Sequence, residues 1–286
     1  MKKLFSSSQP LPAHLQAAIA QLDNGPGVYV FYNENNYPLY IGKSKQVKTR
    51  VLSHVREFGR HRRKTDLIRQ TQTIIQYPTA GEFTALFKEA EMIKQFLPLY
   101  NKLLRKRKNY ASITLNDQGQ IAFSKGINVE ELHTHYGVFS HLKEAKETLI
   151  ALAEKTPICK KLCGLSQTAP CFNYQLKNCD YACQQENYAH IHADILKTTL
   201  AELSLKQWPY PQQAIAVKES NLQYPREQYI VIYLWCYLGT VDTRNDALIL
   251  LKKKSLRQFD KNYYRLALAL LNKTPPQALF YFSISI

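Results

Sequence analysis

The run Val28-Tyr29-Val30-Phe31-Tyr32, opened by Pro26-Gly27, and the run Leu39-Tyr40-Ile41 flank the polar stretch Asn33-Glu34-Asn35-Asn36. Two apolar runs around a polar turn predict a β-hairpin, with Gly42 ending its second strand. Ser44 is placed to cap a following helix, in which Val47, Val51, Val55 and Phe58 recur at spacings of four, four and three and form one apolar stripe. Arg60 to Lys64 then predicts a basic loop, and Thr73 to Tyr77 a third strand rich in β-branched residues. Thr79-Ala80-Gly81-Glu82 fits a capping box for a second helix, whose buried face is Phe83, Leu86, Phe87, Ala90, Ile93 and Leu97 and which Pro98 stops. A short helix over about 14–22 precedes these elements within a leader of residues 1–24.

Further along, Asn116-Asp117-Gln118-Gly119 predicts the turn of a second hairpin within 110–135, and Ser140 the cap of a helix over 141–155. A helix near 187–205 follows a cysteine-rich stretch. Strands are expected at 212–218, 228–238 and 246–251, and a last helix at 260–272. The pattern predicts a mixed α/β (α+β) fold. A small domain with a β-β-α-β-α core spans 1–110, a hairpin-and-helix connector 111–158, a Cys-rich segment 159–186 and a smaller α+β domain 187–286.

Charge sharpens this division. The 286-residue chain has a formal net charge of +16, and residues 1–110 alone carry 19 Lys and Arg against 7 Asp and Glu. The excess therefore sits on the first domain, which suits a polyanionic partner there. Lys45, Lys48, Arg56, Arg60, Arg62, Arg63 and Lys64, with Arg105, Lys106, Arg107 and Lys108, are candidates to track DNA phosphates; a solvated charged face is the alternative. Lys2 and Lys3 lead into polar serines rather than the apolar core of a signal peptide, and Tyr229–Leu238 is too short to span a bilayer, so a cytoplasmic protein is expected.

Hydrolysing a phosphodiester needs a base for water, cations on the developing charge and a metal. The hairpin puts Tyr29 and Tyr40 on adjacent strands, Lys43 follows Tyr40 by three residues, and Arg50 and His54 share a helix face at i and i+4. Glu89 lies at the margin of an apolar helix stripe. Taken singly, each tyrosine reads as core and Glu89 as surface.

Their order resembles the GIY-YIG nuclease family. Pro26-Gly27-Val28-Tyr29, Tyr40-Ile41-Gly42-Lys43, Lys48-Thr49-Arg50, Glu89 and Pro98-Leu99-Tyr100-Asn101 follow its pattern, and are most similar to the amino-terminal half of the UvrC family and its short Cho-type members. The resemblance implies that Tyr40 is the general base or orients the attacking water, with Lys43 supplying the cation that favours its phenolate. It implies that Arg50 holds the scissile phosphate, that Glu89 is the single protein carboxylate on Mg²⁺ or Mn²⁺, and that Tyr29 and Asn101 complete the pocket. His54 stands where the family usually has tyrosine, so phosphate contact, proton relay and pocket support stay open for it.

Cys159, Cys171, Cys179 and Cys183, separated by 12, 8 and 4 residues, can offer four thiolates to zinc or an iron–sulfur cluster, or remain unmetallated. UvrC-like proteins share this spacing, and the resemblance favours a [4Fe–4S] cluster over zinc. Cys163 is an additional thiol in the segment, and Cys236 is expected in the core. The implied function is metal-dependent incision of damaged double-stranded DNA on the 3′ side of a lesion, by a monomer working with UvrA and UvrB. A UvrC would continue into a second nuclease domain, so one incision is expected. Two alternatives stay open: a stand-alone nuclease on branched or mobile-element DNA, and a non-cutting DNA-binding or redox-sensing module.

Overall fold

A computed structural model describes residues 11–58, 61–102, 110–165, 176, 188–252 and 258–283. The chain divides into two compact units. One joins residues up to 107 with 210–256 and 262–286; the other is 108–209 with 257–261.

The first unit holds two antiparallel sheets. In one, β1 (Gly27–Tyr32) lies between β2 (Pro38–Ser44) and β3 (Thr73–Pro78). Alternation along β1 divides its side chains between two faces. Tyr29 and Phe31 pack with Val47, Val51, Leu67 and Ile68, from α2 (Val47–Val55) and α3 (Arg62–Gln70), and with Leu15 and Ile19 of α1 (Ala13–Ala20). Val28 and Val30 pack with Ile41, Met92 and Ile93 on the other face, under α4 (Glu82–Phe96). The core therefore runs β-β-α-α-β-α, with one helix more than the sequence predicts: residues 62–64 of the basic stretch read as a loop are the first turn of α3, anchored by Leu67 and Ile68. The second strand also runs through Gly42 to Ser44, because Gly42 pairs with Tyr29 and Ser44 with Gly27.

Two expected caps take other partners. Ser44 Oγ binds the backbone of Gln46 rather than the first turn of α2. Thr79 Oγ1 donates to Gly81 O at 3.0 Å, and α4 begins at Glu82 with Gly81 as its cap residue.

The second sheet of this unit has the order β10-β7-β8-β9, built from β7 (Gln213–Asn221), β8 (Arg226–Tyr233), β9 (Cys236–Val241) and β10 (Leu279–Ser283). Between β9 and β10 come α7 (Arg244–Lys252) and α8 (Lys261–Lys273). The strand expected at 246–251 is thus a helix. Its start is a reciprocal pair, in which Thr243 Oγ1 accepts from Asp246 N and donates to Asp246 Oδ2. Ala247, Leu250 and Leu251 then pack on Ala216, Tyr229 and Val231. Cys236 is buried, as expected.

The second unit contains the sheet β5-β4-β6, from β4 (Ala111–Leu115), β5 (Ile121–Lys125) and β6 (His135–Phe139), with α5 (Leu142–Ala153) and α6 (Tyr188–Leu200). The 116–119 turn joins β4 to β5, with Asn116 Oδ1 accepting from Gln120 N. The cap of α5 is His141, whose Nδ1 accepts from Glu144 N, and not Ser140, whose N–H donates to Glu144 Oε2. Among the described residues, no helix is long and apolar enough to cross a membrane.

Candidate active site

The site wraps around β2, an edge strand of the first sheet. Directly opposed residues of an antiparallel pair share a face. The register Phe31↔Tyr40 and Tyr29↔Gly42 therefore puts both tyrosines on the α2 side, while Val30↔Ile41 and Val28↔Lys43 puts Lys43 on the α4 side. Tyr40 and Lys43 are an odd number apart in one strand, so they point to opposite faces. Lys43 meets Glu89 and Glu82 instead: its backbone N–H donates to Glu89 Oε1 at 3.1 Å, and its Nζ lies 3.5 Å from Glu82 Oε1. Glu82 also pairs with Lys45 at 2.7 Å, and that hydrogen bond from Lys45 is the largest cause of its lowered pKa.

Tyr29, Phe31, Tyr40 and His54 form an aromatic cluster; the Tyr40 and His54 ring centroids are 5.3 Å apart and those of Tyr29 and His54 5.8 Å. Tyr29 is almost completely buried, and its hydroxyl is 3.0 Å from His54 Nε2. Arg50 also bonds this hydroxyl, and Tyr29 in turn bonds Tyr40. A tyrosine has one proton to donate and two lone pairs. The consistent assignment is that Tyr29 accepts from Arg50 and from His54 Nε2–H and donates to Tyr40. Tyr29 reaches this position because Gly42 has no side chain; a Cβ there would lie 2.4 Å from the Tyr29 hydroxyl oxygen.

The electrostatics follow from burial and neighbours. Burial raises the Tyr29 pKa well above the usual phenol range. Burial, then the Glu89 charge, raises that of Tyr40, against lowering contributions from the Tyr29 hydrogen bond and Arg50. The cation acting on Tyr40 is thus Arg50. Burial and the charges of Arg50 and Lys64 lower His54 to about 4, so its imidazole is neutral near pH 7. Burial raises Glu89 to about 7, against the charge and backbone N–H of Lys43. Asn101 closes the edge of β2: its Oδ1 accepts from Ile41 N at 2.9 Å and its Nδ2 donates to Ile41 O at 2.8 Å.

The chain matches known proteins along most of its length. The UvrC-like GIY-YIG domain family matches residues 25–102, the UvrC/Cho excinuclease middle domain residues 110–202 and the excinuclease Cho C-terminal domain residues 214–279. Excinuclease Cho of Escherichia coli K12 is 34% identical over 261 residues, covering 89% of this chain and 85% of its own length. The chain belongs to the Cho excinuclease family. Excinuclease Cho of Salmonella typhimurium is 33% identical, with 89% of this chain and 86% of its own covered. UvrABC system protein C of Bartonella henselae is 30% identical over 67% of this chain and 30% of its own. Among solved structures, the GIY-YIG endonuclease domain of Thermotoga maritima UvrC, bound to magnesium as its catalytic divalent cation, is 27% identical. It covers 32% of this chain and 98% of that one, with a TM-score of 0.29. The chain is accordingly a UvrC-like nuclease of excision repair with a GIY-YIG catalytic domain.

The remaining candidates distribute unevenly. Arg56, just after α2, and Arg62, on α3, are exposed. Lys48 Nζ donates to Ala20 O at 3.0 Å, Arg63 Nη2 to Tyr100 O at 2.9 Å, and Lys64 pairs with Glu57. Arg60 and Arg105 to Lys108 lie outside the described residues. So do Cys171, Cys179 and Cys183, within the stretch matching the UvrC/Cho middle domain. Of the cluster candidates, Cys159 is half-buried, and its N–H donates to His192 Nε2 at 3.0 Å. Cys163 packs beside Leu149 and Ile158, and burial, with Cys159 beside it, pushes its thiol up to about 12. The residues with no signal in the sequence are Glu219 and Gln228, distant by more than a hundred positions, which bind the start of α4.

Proposed function

We propose that this chain makes the 3′ incision beside a DNA lesion, using one divalent ion, after UvrA and UvrB have loaded onto the damage. The observation that carries the reading is the position of Glu89: a half-buried carboxylate held against the edge strand at Lys43 N, its charge felt by Tyr40. Its donor chemistry fits a hard divalent cation such as Mg²⁺ or Mn²⁺, which prefers oxygen ligands and keeps several waters. The ion, when bound, would polarise the scissile phosphate and stabilise the leaving oxygen.

The protein groups do the rest. Burial and, after it, the Glu89 charge keep Tyr40 protonated, and neutralising Glu89 removes the second of these. The Tyr29 hydroxyl, already accepting from Arg50 and His54, donates to Tyr40 and stabilises its phenolate. Once Tyr40 has released its own proton to solvent, its phenolate can take the proton from water as the water oxygen attacks phosphorus and the P–O bond to the leaving strand breaks. The exposed guanidinium of Arg50 offers its planar fork of donors to the phosphate. His54 is neutral near pH 7, so it acts through Tyr29 rather than as a phosphate cation. Arg56 and Arg62 extend the positive face along the DNA backbone.

The test is nicking of a duplex bearing one bulky lesion, with and without UvrA and UvrB. The reading predicts a single Mg²⁺-dependent nick 3′ to the lesion that requires both proteins. Equal nicking without them, or preference for branched DNA, would reassign the chain as a stand-alone nuclease. For Cys159, Cys171, Cys179 and Cys183 the proposal is a [4Fe–4S] cluster. Iron and sulfide analysis after anaerobic purification tests it, and a colourless protein with stoichiometric zinc would reject it.

A further inference from the structure

The first turn of α4 is capped from the carboxy-terminal sheet. The carboxylate of Glu219, in β7, accepts from the backbone N–H of Phe83 at 3.1 Å and of Thr84 at 2.7 Å, and from Thr84 Oγ1 at 2.8 Å. These amides are among the donors that the start of a helix leaves without an intrahelical partner, and the positive end of the helix dipole favours a carboxylate there. The local sequence supplies only half of the cap: Thr84 Oγ1 accepts from Gly81 N at 2.9 Å, but Gly81 has no side chain to accept from the first-turn amides. A Cβ on Gly81 would lie 2.3 Å from the carboxyl carbon of Glu219, so the glycine admits the remote side chain. Next to it, Ala80 N donates to Gln228 Oε1 of β8 at 3.0 Å. One turn further on, Phe87 is buried against the rings of Tyr237 and Tyr263, with centroids 4.8 and 6.0 Å away.

The gripped helix is the one that carries Glu89. Glu82, its first residue, and Glu89 are seven positions apart, about two helical turns, and so share a face. Both meet Lys43. An axial shift or fraying of α4 would therefore move Glu89 away from Lys43 N and alter the pairing of Lys43 and Lys45 with Glu82.

We propose that Glu219 is a positioning residue for the nuclease reaction, through which the carboxy-terminal domain fixes α4 and thus the metal-binding carboxylate. This rests on the reading of Glu89 as the metal ligand. The test uses the full chain with Glu219→Ala and Glu219→Gln, the second retaining one acceptor oxygen. Three quantities are read: amide exchange across 82–96, Mn²⁺ affinity by calorimetry without DNA, and nicking kcat and KM. Loss of a side-chain cap predicts roughly tenfold faster exchange of the first-turn amides in Glu219→Ala. Mn²⁺ affinity and kcat should fall together while KM for DNA is unchanged, and Glu219→Gln should recover part of each. Folded Glu219 variants with wild-type exchange and wild-type Mn²⁺ affinity would overturn this inference alone. A rise in KM for DNA with unchanged Mn²⁺ affinity would also overturn it, making Glu219 a substrate contact. A wild-type protein that binds no Mn²⁺ would overturn the Glu89 reading and this inference with it.

Discussion

Replacing Glu89 with glutamine should make the metal-free protein more stable at pH 8 and leave it unchanged at pH 4. Burial raises the Glu89 carboxyl from 4.5 to about 7, so the folded protein binds this proton more tightly than the unfolded chain. Stability from that proton is fully present below about 4.5 and is lost as pH rises towards 7. At about 1.4 kcal/mol per pKa unit, the charged carboxylate costs the folded state up to about 3 kcal/mol at pH 8. Glutamine keeps an oxygen for Lys43 N and carries no charge. The variant should therefore melt higher than wild type at pH 8 in EDTA, by an amount of order 5–10 °C. His54 acts with the opposite sign: burial lowers its folded value to about 4, so stability is present above 6.5 and is lost as pH falls towards 4. In wild type the two slopes oppose each other between about 4.5 and 6.5. Without Glu89, stability should rise with pH across that window. Thermal unfolding of both proteins in EDTA from pH 4 to 8 is the assay. A Glu89→Gln variant no more stable than wild type at pH 8 would refute the claim that burial strains this carboxylate.

Arg50→Lys should keep the charge near Tyr40 but lose the planar fork, lowering nicking kcat at least about tenfold with little change in melting temperature; single-turnover rates measure it. Gly42→Ala would push a methyl group to 2.4 Å from the Tyr29 hydroxyl oxygen. It should cost roughly 1–3 kcal/mol by overpacking, read by urea unfolding, and remove activity as well. Asn101→Ala would leave both backbone polar groups of Ile41 unpaired by a side chain. A cost of about 2–3 kcal/mol follows, with local exchange at 40–42 rising first in hydrogen-exchange measurements.

Much of the first sheet was legible because its patterns are local. The hairpin of β1 and β2 and the valine stripe of α2 were strong periodic signals. α3 was hidden because its apolar content is little more than Leu67 and Ile68 among charged neighbours. Residues 247–251, Ala-Leu-Ile-Leu-Leu, have no period that separates strand from helix; the deciding feature is the Thr243–Asp246 pair. For the candidate site, the ordered motif singled out Tyr29, Tyr40, Arg50 and Glu89, but not which group acts on which. Strand parity alone separates Lys43 from Tyr40, and the cation beside Tyr40 comes from α2. The role of Glu219 had no local trace, since what creates it is a contact across 135 positions and a glycine that makes room for it.

In the proposed function a single carboxylate, Glu89, carries the metal that cuts DNA. Its most direct test is the nicking rate of Glu89→Ala beside wild type, at saturating Mg²⁺ on a lesion-bearing duplex loaded with UvrA and UvrB, with folding checked by circular dichroism. The expected result is a folded variant with no nicking above the rate that EDTA leaves in wild type. A folded Glu89→Ala protein that nicks at the wild-type rate would contradict it.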